Sequence, residues 1–392
     1  MDKQKKLTSN VYKYYLFQFF NNLAFFSPVI VLFWQSNGLN MTKILLLQSI
    51  YSLGVIILEL PTGVFADYFG KRKSLILGAL FWTIGTFWYG LSHHFWQFVI
   101  GELTAGVGAA FISGADRAYI HQLLKSADQE NDFKKIEGKA RGIIQIAQAI
   151  GSLLGGFIAS IYLGLTLIAT SFSTFASFIV GLSFPKTNLE LPREEKTNYI
   201  QMIKKSIKLV KNQKRLLWLT LFFASFNGLI WPLIFYSQPY LKMLGVPMFL
   251  FGAIFMLFNL ITALGSALTH RFENLTKDSS FLVISIVSVI SLFLLGSFKS
   301  ILVFPLWSLF LTFAFMNQTI ISGQVLKIIP AEKAATVLSF QNLVRRFFYA
   351  IIGPILGMVS DSFGINKALV YYSLFIAIIL GIILFQRKSS FA

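Results

Sequence analysis

Apolar residues gather along this chain in twelve long stretches, at roughly 12–35, 43–66, 74–92, 95–121, 138–161, 164–184, 216–241, 248–270, 279–297, 300–324, 336–360 and 367–386. Each is long enough to cross a hydrocarbon layer of about 30 Å at about 1.5 Å per residue. Helices are the open segments that satisfy their own backbone groups in lipid, so the pattern predicts an all-α fold of twelve membrane-spanning helices. Short polar loops separate the stretches, apart from one long interruption at 185–215. That interruption predicts two six-helix bundles, 1–184 and 216–392, joined by a cytoplasmic linker. Within the linker Ile200, Ile203, Ile207 and Val210 recur at helical spacing among Lys204, Lys205, Lys208 and Lys211. This is the pattern of a basic amphipathic helix resting on an anionic membrane surface.

Composition agrees with the pattern. The 392 residues are 55% hydrophobic and 13% charged, against about 25% charged in soluble domains. The net charge of +18 would suit nucleic acid, so its distribution has to decide. When loops alternate sides, one side takes the N-terminus, the 66–74 and 121–141 loops and the long linker, which together hold most of the Lys and Arg. The opposite loops hold only Lys43, Lys242, Lys299 and Lys367. The asymmetry places both termini in the cytoplasm and gives the basic loops a place at the inner leaflet of a plasma membrane, with no nucleic acid involved. The "MDKQKK" start precedes a stretch too long for a cleaved signal peptide, so it is read as leading into the first span. With no cysteine the chain has no disulfide, thiolate metal site or cysteine nucleophile. His93 and His94 are adjacent rather than at ligand spacing, and Gly70-Lys71 lacks the glycine frame of a nucleotide-binding loop. Neither a metal, a cofactor nor an enzyme activity is expected.

Two phrases repeat. "GVFADYFGKRKSL" at 63–75 and "GMVSDSFGINKAL" at 357–369 both read G-x-x-x-D-x-F-G-x-x-K-x-L. Gly151 and Gly155 of the fifth span fall on Gly353 and Gly357 of the eleventh at one constant offset, and the eighth keeps Gly265 but has Thr269 in the aspartate's place. Relatedness at every third span is the mark of three-helix units, inverted within each half and repeated between halves.

Twelve spans split six and six, with this phrase after the second, resemble the major facilitator superfamily. Residues 63–73 are similar to its loop motif G-x-x-x-D-[RK]-x-G-[RK]-[RK], with Tyr68 in place of a basic residue. The resemblance implies that Gly63, Asp67, Gly70, Lys71 and Arg72 bias an alternation between outward-open and inward-open states. Residues 147–156, "AQAIGSLLGG", resemble the fifth-span motif of the superfamily's antiporters at Gly151, Gly155 and Gly156. Ser152 replaces the motif's proline and Ala147 its first glycine. In "GELTAGVG" at 101–108, Glu102 stands where these transporters often have an arginine. The resemblance also implies a central cavity lined by spans 1, 4, 7 and 10, which carry Asn21, Asn22, Asn227, Trp231, Gln238, Asn317 and Gln318. Amides among aromatics with little fixed charge suit lipophilic or moderately polar solutes.

Charges inside predicted spans narrow the search for coupling groups. A charge at mid-bilayer costs about 2.5–3.5 kcal/mol even on the lenient insertion scale, which marks Glu59, Glu102, Asp116, Arg117, Arg345 and Arg346 as functional candidates. On one continuous helix Glu102, Gly106, Ser113 and Asp116 would share a face. Glu102 is the first candidate for carrying a proton, followed by Asp116 and Glu59, with a structural hydrogen bond from Glu102 as the competing role. Arg117 is expected to gate, or to anchor the helix end in an ion pair with Asp116. The expected function is proton-coupled export of small lipophilic or amphipathic molecules by a monomer, in the manner of the drug:proton antiporters. Import of a nutrient or metabolite is the alternative, and lipid flipping a third.

Overall fold

The computed structural model describes residues 2–186, 207–329 and 331–387, and every regular element among them is helical. The linker's amphipathic pattern falls mostly outside the described residues. The helices are α1 (Asp2–Asn22), α2 (Ile30–Ser36), α3 (Met41–Phe69), α4 (Lys71–Gly90), α5 (Phe95–Ile112), α6 (Ala115–Lys125), α7 (Phe133–Ile161) and α8 (Leu163–Leu182). There follow α9 (Lys214–Ile230), α10 (Ser237–Met243), α11 (Met248–Ala267), α12 (Thr269–Thr276), α13 (Ser280–Ser297), α14 (Leu306–Ile328), α15 (Ala331–Phe363) and α16 (Ile365–Phe385). Ten described segments are long and apolar enough to cross a membrane, and they match the expected spans other than the first and third. Those two are occupied by α1 with α2, and by α4.

Three expected spans are broken rather than continuous. The first leaves the helix between Asn22 and Ile30, around Pro28. At the break Phe25 N donates to Thr170 Oγ1 on α8 at 3.0 Å, and in the last turn of α1 the Phe20 carbonyl accepts from Ser173 Oγ at 2.8 Å. The fourth bends at Gly114, whose φ of +84° favours a residue without a side chain. Consequently Ser113 and Asp116 do not continue the face of Glu102, and the shared polar stripe expected of one helix is not formed. The seventh tightens into a 3-10 turn at Trp231–Tyr236, where Pro232 lacks the N–H an α-helix would use.

By internal contacts the chain divides into two compact units, Met1–Gly38 with Ile50–Glu195 and Pro247–Met256, and Leu39–Ser49 with Lys196–Val246 and Leu257–Ala392. In the first, α4 packs along α5 and α8, and α1 along α7 and α8. Tyr14, Phe17, Leu75, Tyr119 and Phe184 fill its buried cluster. In the second, α13 packs along α16 and α9 along α15, with Trp218, Phe222 and Phe226 stacked in a column that Phe281 closes edge-on. Packing of this kind, rather than water exclusion, holds helices together in lipid. Ile57, Leu264 and Ile378 are more than 60% exposed, as helices bathed in hydrocarbon allow.

Candidate functional site

Glu102 lies on α5 and is buried, 8% exposed. The Tyr89 hydroxyl on α4 donates to Glu102 Oε1 at 3.1 Å, and Trp34 Nε1 on α2 donates to the Tyr89 hydroxyl at 2.6 Å. Tyr89 and Trp34 are buried as well, so three helices of the first unit meet at one hydrogen-bonded chain that includes a carboxyl. Gly101 makes it possible, because a Cβ there would lie 2.5 Å from the Tyr89 ring. A phenol both donates and accepts, so Tyr89 can hold the carboxyl and the indole at once. No spacing in the sequence points to Tyr89 or Trp34, since Tyr89 reaches Glu102, and Trp34 reaches Tyr89, from other helices.

The other charged candidates have different company. Asp116 Oδ1 accepts the backbone N–H of Arg117 at 2.7 Å, and the Arg117 side chain turns away to Glu137 on α7, with Nε 2.7 Å from Oε1. Arg141 reaches the same carboxylate at 3.2 Å. The expected Asp116–Arg117 ion pair is therefore replaced by a pair between α6 and α7, which sequence reading missed. Glu59 is half-buried on α3, two residues before Pro61.

In the first repeated phrase, Gly70 turns α3 into α4 with φ of +97°. Asp67 pairs with Lys71 one turn on, and its side chain is 75% exposed. Arg72 donates to the Leu182 and Phe184 carbonyls at 2.8 and 2.7 Å, anchoring α4 to the end of α8. Nothing lies within 4 Å of a Cβ built on Gly63. Gly151, Gly155 and Gly156 serve close backbone contact. Cβ atoms there would come within 3 Å of Ala24, of the Phe25 carbonyl and of Gly252 in turn.

Of the expected cavity residues, Asn227, Trp231 and Gln318 line one small cleft in the second unit. Ile230, Ile234, Leu311, Ala314 and Phe315 complete it, so a few polar groups stand on an apolar wall. Gln238 and Asn317 are buried outside that lining, and the Asn317 amide has no hydrogen-bond partner among the described residues. Asn21 and Asn22 belong to the first unit. Asn22 Nδ2 donates to the Gln18 carbonyl at 2.8 Å, and Ser177 Oγ reaches Asn21 Oδ1 at 3.5 Å.

A family model described as Major Facilitator Superfamily matches residues 15–350. An uncharacterized MFS-type transporter of Bacillus subtilis, YxaM, is 24% identical over 386 residues, 93% of each chain. Multidrug resistance protein 2 of the same organism is 24% identical over 199 residues, 49% of each chain. Among solved structures, the nucleoside transporter NupG superposes with a TM-score of 0.77 at 12% identity, covering 99% of this chain and 100% of its own. That likeness concerns the fold.

Proposed function

The chain belongs to the Major Facilitator Superfamily, so it is a membrane transporter of small molecules and not an enzyme, and on that premise we propose that it exports amphipathic solutes in exchange for protons. The observation that carries this reading is the cleft of Asn227, Trp231 and Gln318 among aliphatic and aromatic neighbours. Such a lining rewards a mostly apolar body with few hydrogen-bonding groups, and it lacks the dense polar surface a sugar requires. Export rather than import is supported by the glycines at 151, 155 and 156, and by the half-length likeness to a multidrug resistance protein. Coupling is assigned to Glu102, the buried carboxyl bonded into the Trp34–Tyr89 chain. Alternation would take place between six-helix bundles 1–184 and 216–392, in a monomer with both termini in the cytoplasm and the chain in the plasma membrane.

Everted membrane vesicles energised by a pH gradient test the proposal with N-phenylnaphthylamine as the solute. The wild type should accumulate it inside. Glu102→Gln keeps the hydrogen bond from Tyr89 but cannot ionise, so downhill exchange should persist while uphill accumulation is lost. Full gradient-driven accumulation by the Gln variant would remove Glu102 from coupling. Energised depletion of the solute from the vesicles would replace export by import.

A further inference from the structure

Arg345 has no part in the mechanism above, yet it stands on α15 eight residues inside the apolar segment Val337–Phe363, roughly 12 Å from its start. Its guanidinium carbon lies 5.1 Å from the ring centre of Trp231, the indole that lines the cleft. The backbones meet at the same level, since a Cβ on Gly228 would lie 3.2 Å from the Arg345 carbonyl and 2.8 Å from Phe348 Cβ. Trp231, about one turn beyond Gly228, thus joins Arg345, which stands just outside the lining, to the cleft.

A cation this deep in an apolar segment normally has a carboxylate beside it. Among the described residues no ion pair reaches Arg345. Of the second unit's acids whose side chains are described, Asp278 pairs with Arg387, Asp361 caps the start of α3, and Glu273 lies on the short helix α12. A guanidinium stacked on an indole has its flat face satisfied, while its N–H edge stays ready for a planar oxyanion. The apolar wall continues from Trp231 through Ile230, Ile234, Leu311 and Phe315.

We infer that Arg345, held on Trp231, recognises an anionic group on the transported molecule, so that among amphipathic solutes the cleft prefers organic carboxylates with an apolar body. The inference rests on the reading above that the cleft admits the solute. The amides of Asn227 and Gln318 then take any remaining polar group, and the apolar lining takes the hydrocarbon.

The test compares naphthoate with naphthamide, which share shape and differ in charge, by equilibrium dialysis against the purified full chain in lipid nanodiscs. Naphthoate should bind about tenfold tighter, the scale of a charge-assisted hydrogen bond. Arg345→Gln should remove that preference while leaving naphthamide binding within about twofold, which also shows that the variant is folded. Arg345→Lys, a point charge without the planar fork, should keep part of it. Equal affinity for the two ligands in the wild type, or an undiminished preference in Arg345→Gln, overturns the inference while the cleft remains the solute site. Binding of neither ligand overturns both.

Discussion

The phrases at 63–75 and 357–369 hold the same two glycines and the same aspartate, and the structure treats them partly alike and partly not. Gly70 and Gly364 both turn one long helix into the next with positive φ, +97° and +80°. Two residues later each phrase fastens its second helix to the end of a neighbour. Arg72 bonds to the carbonyls closing α8, and Asn366 Nδ2 donates to Gly296 near the end of α13 at 3.3 Å. The aspartates differ. Asp67 is mostly exposed beside Lys71, whereas Asp361 accepts the Met41 and Thr42 backbone N–H groups at 2.9 Å each, plus the Thr42 hydroxyl. These are orphan donors at the start of α3, so Asp361 supplies a helix cap from far along the chain. The first glycines differ in parallel. Gly63 faces open space, while a Cβ on Gly357 would lie 2.6 Å from Thr42 Cα. The second glycine and the anchor build a hairpin. The first glycine and the aspartate make a contact that one copy holds and the other leaves open, which is how an alternating device would use one phrase twice.

Close approach should give the largest difference between the copies. Gly357→Ala puts a methyl into the backbone of α3, an overpacking cost of about 1–3 kcal/mol against the observed arrangement. Because the chain lacks cysteine, Ser49→Cys, buried on α3 beside α15, can report opening through a membrane-impermeant maleimide. Labelling should rise by roughly 5- to 150-fold in Gly357→Ala, and stay within about twofold in Gly63→Ala. Equal responses would erase the distinction between the glycines.

The aspartates should separate by less. Asp361→Asn retains an acceptor but loses the charge that favours a helix start, worth about 1 kcal/mol, so labelling at position 49 should rise about fivefold. Asp67→Asn should leave that labelling unchanged and slow solute turnover instead, since Asp67 pairs with Lys71 and lies away from position 49. A rise in labelling from Asp67→Asn as large as that from Asp361→Asn would make the two carboxylates equivalent after all.

Much of this was legible in the sequence because it is written in local pattern. Spans show in hydropathy, and the repeated phrase shows in spacing. What escaped is carried by contacts remote along the chain. That Asp361 meets Thr42, and that Glu102 meets Tyr89, depends on which helices become neighbours. The breaks near Pro28, Gly114 and Pro232 escaped as well, because apolar residues continue through them and hydropathy sums across a bend. For the cleft, Asn227, Trp231 and Gln318 came together, while Asn21 and Asn22 formed bonds inside the first unit. An amide looks the same in sequence whether it faces a solute or a neighbouring carbonyl.

The smallest effect is expected at Lys71, and its smallness is the point. Asp67 near the end of α3 and Lys71 at the start of α4 pair across the Gly70 turn. The carboxylate is nevertheless mostly in solvent, where a pair of this kind contributes only about 0.3–0.5 kcal/mol. Lys71→Gln should therefore leave the thermal midpoint of the purified protein within about 1 °C of wild type and the labelling of Ser49→Cys unchanged. Turnover should still slow if the cation, like Asp67, acts in the other half of the cycle. A loss of stability comparable to that of Asp361→Asn would show instead that the first phrase is already engaged here.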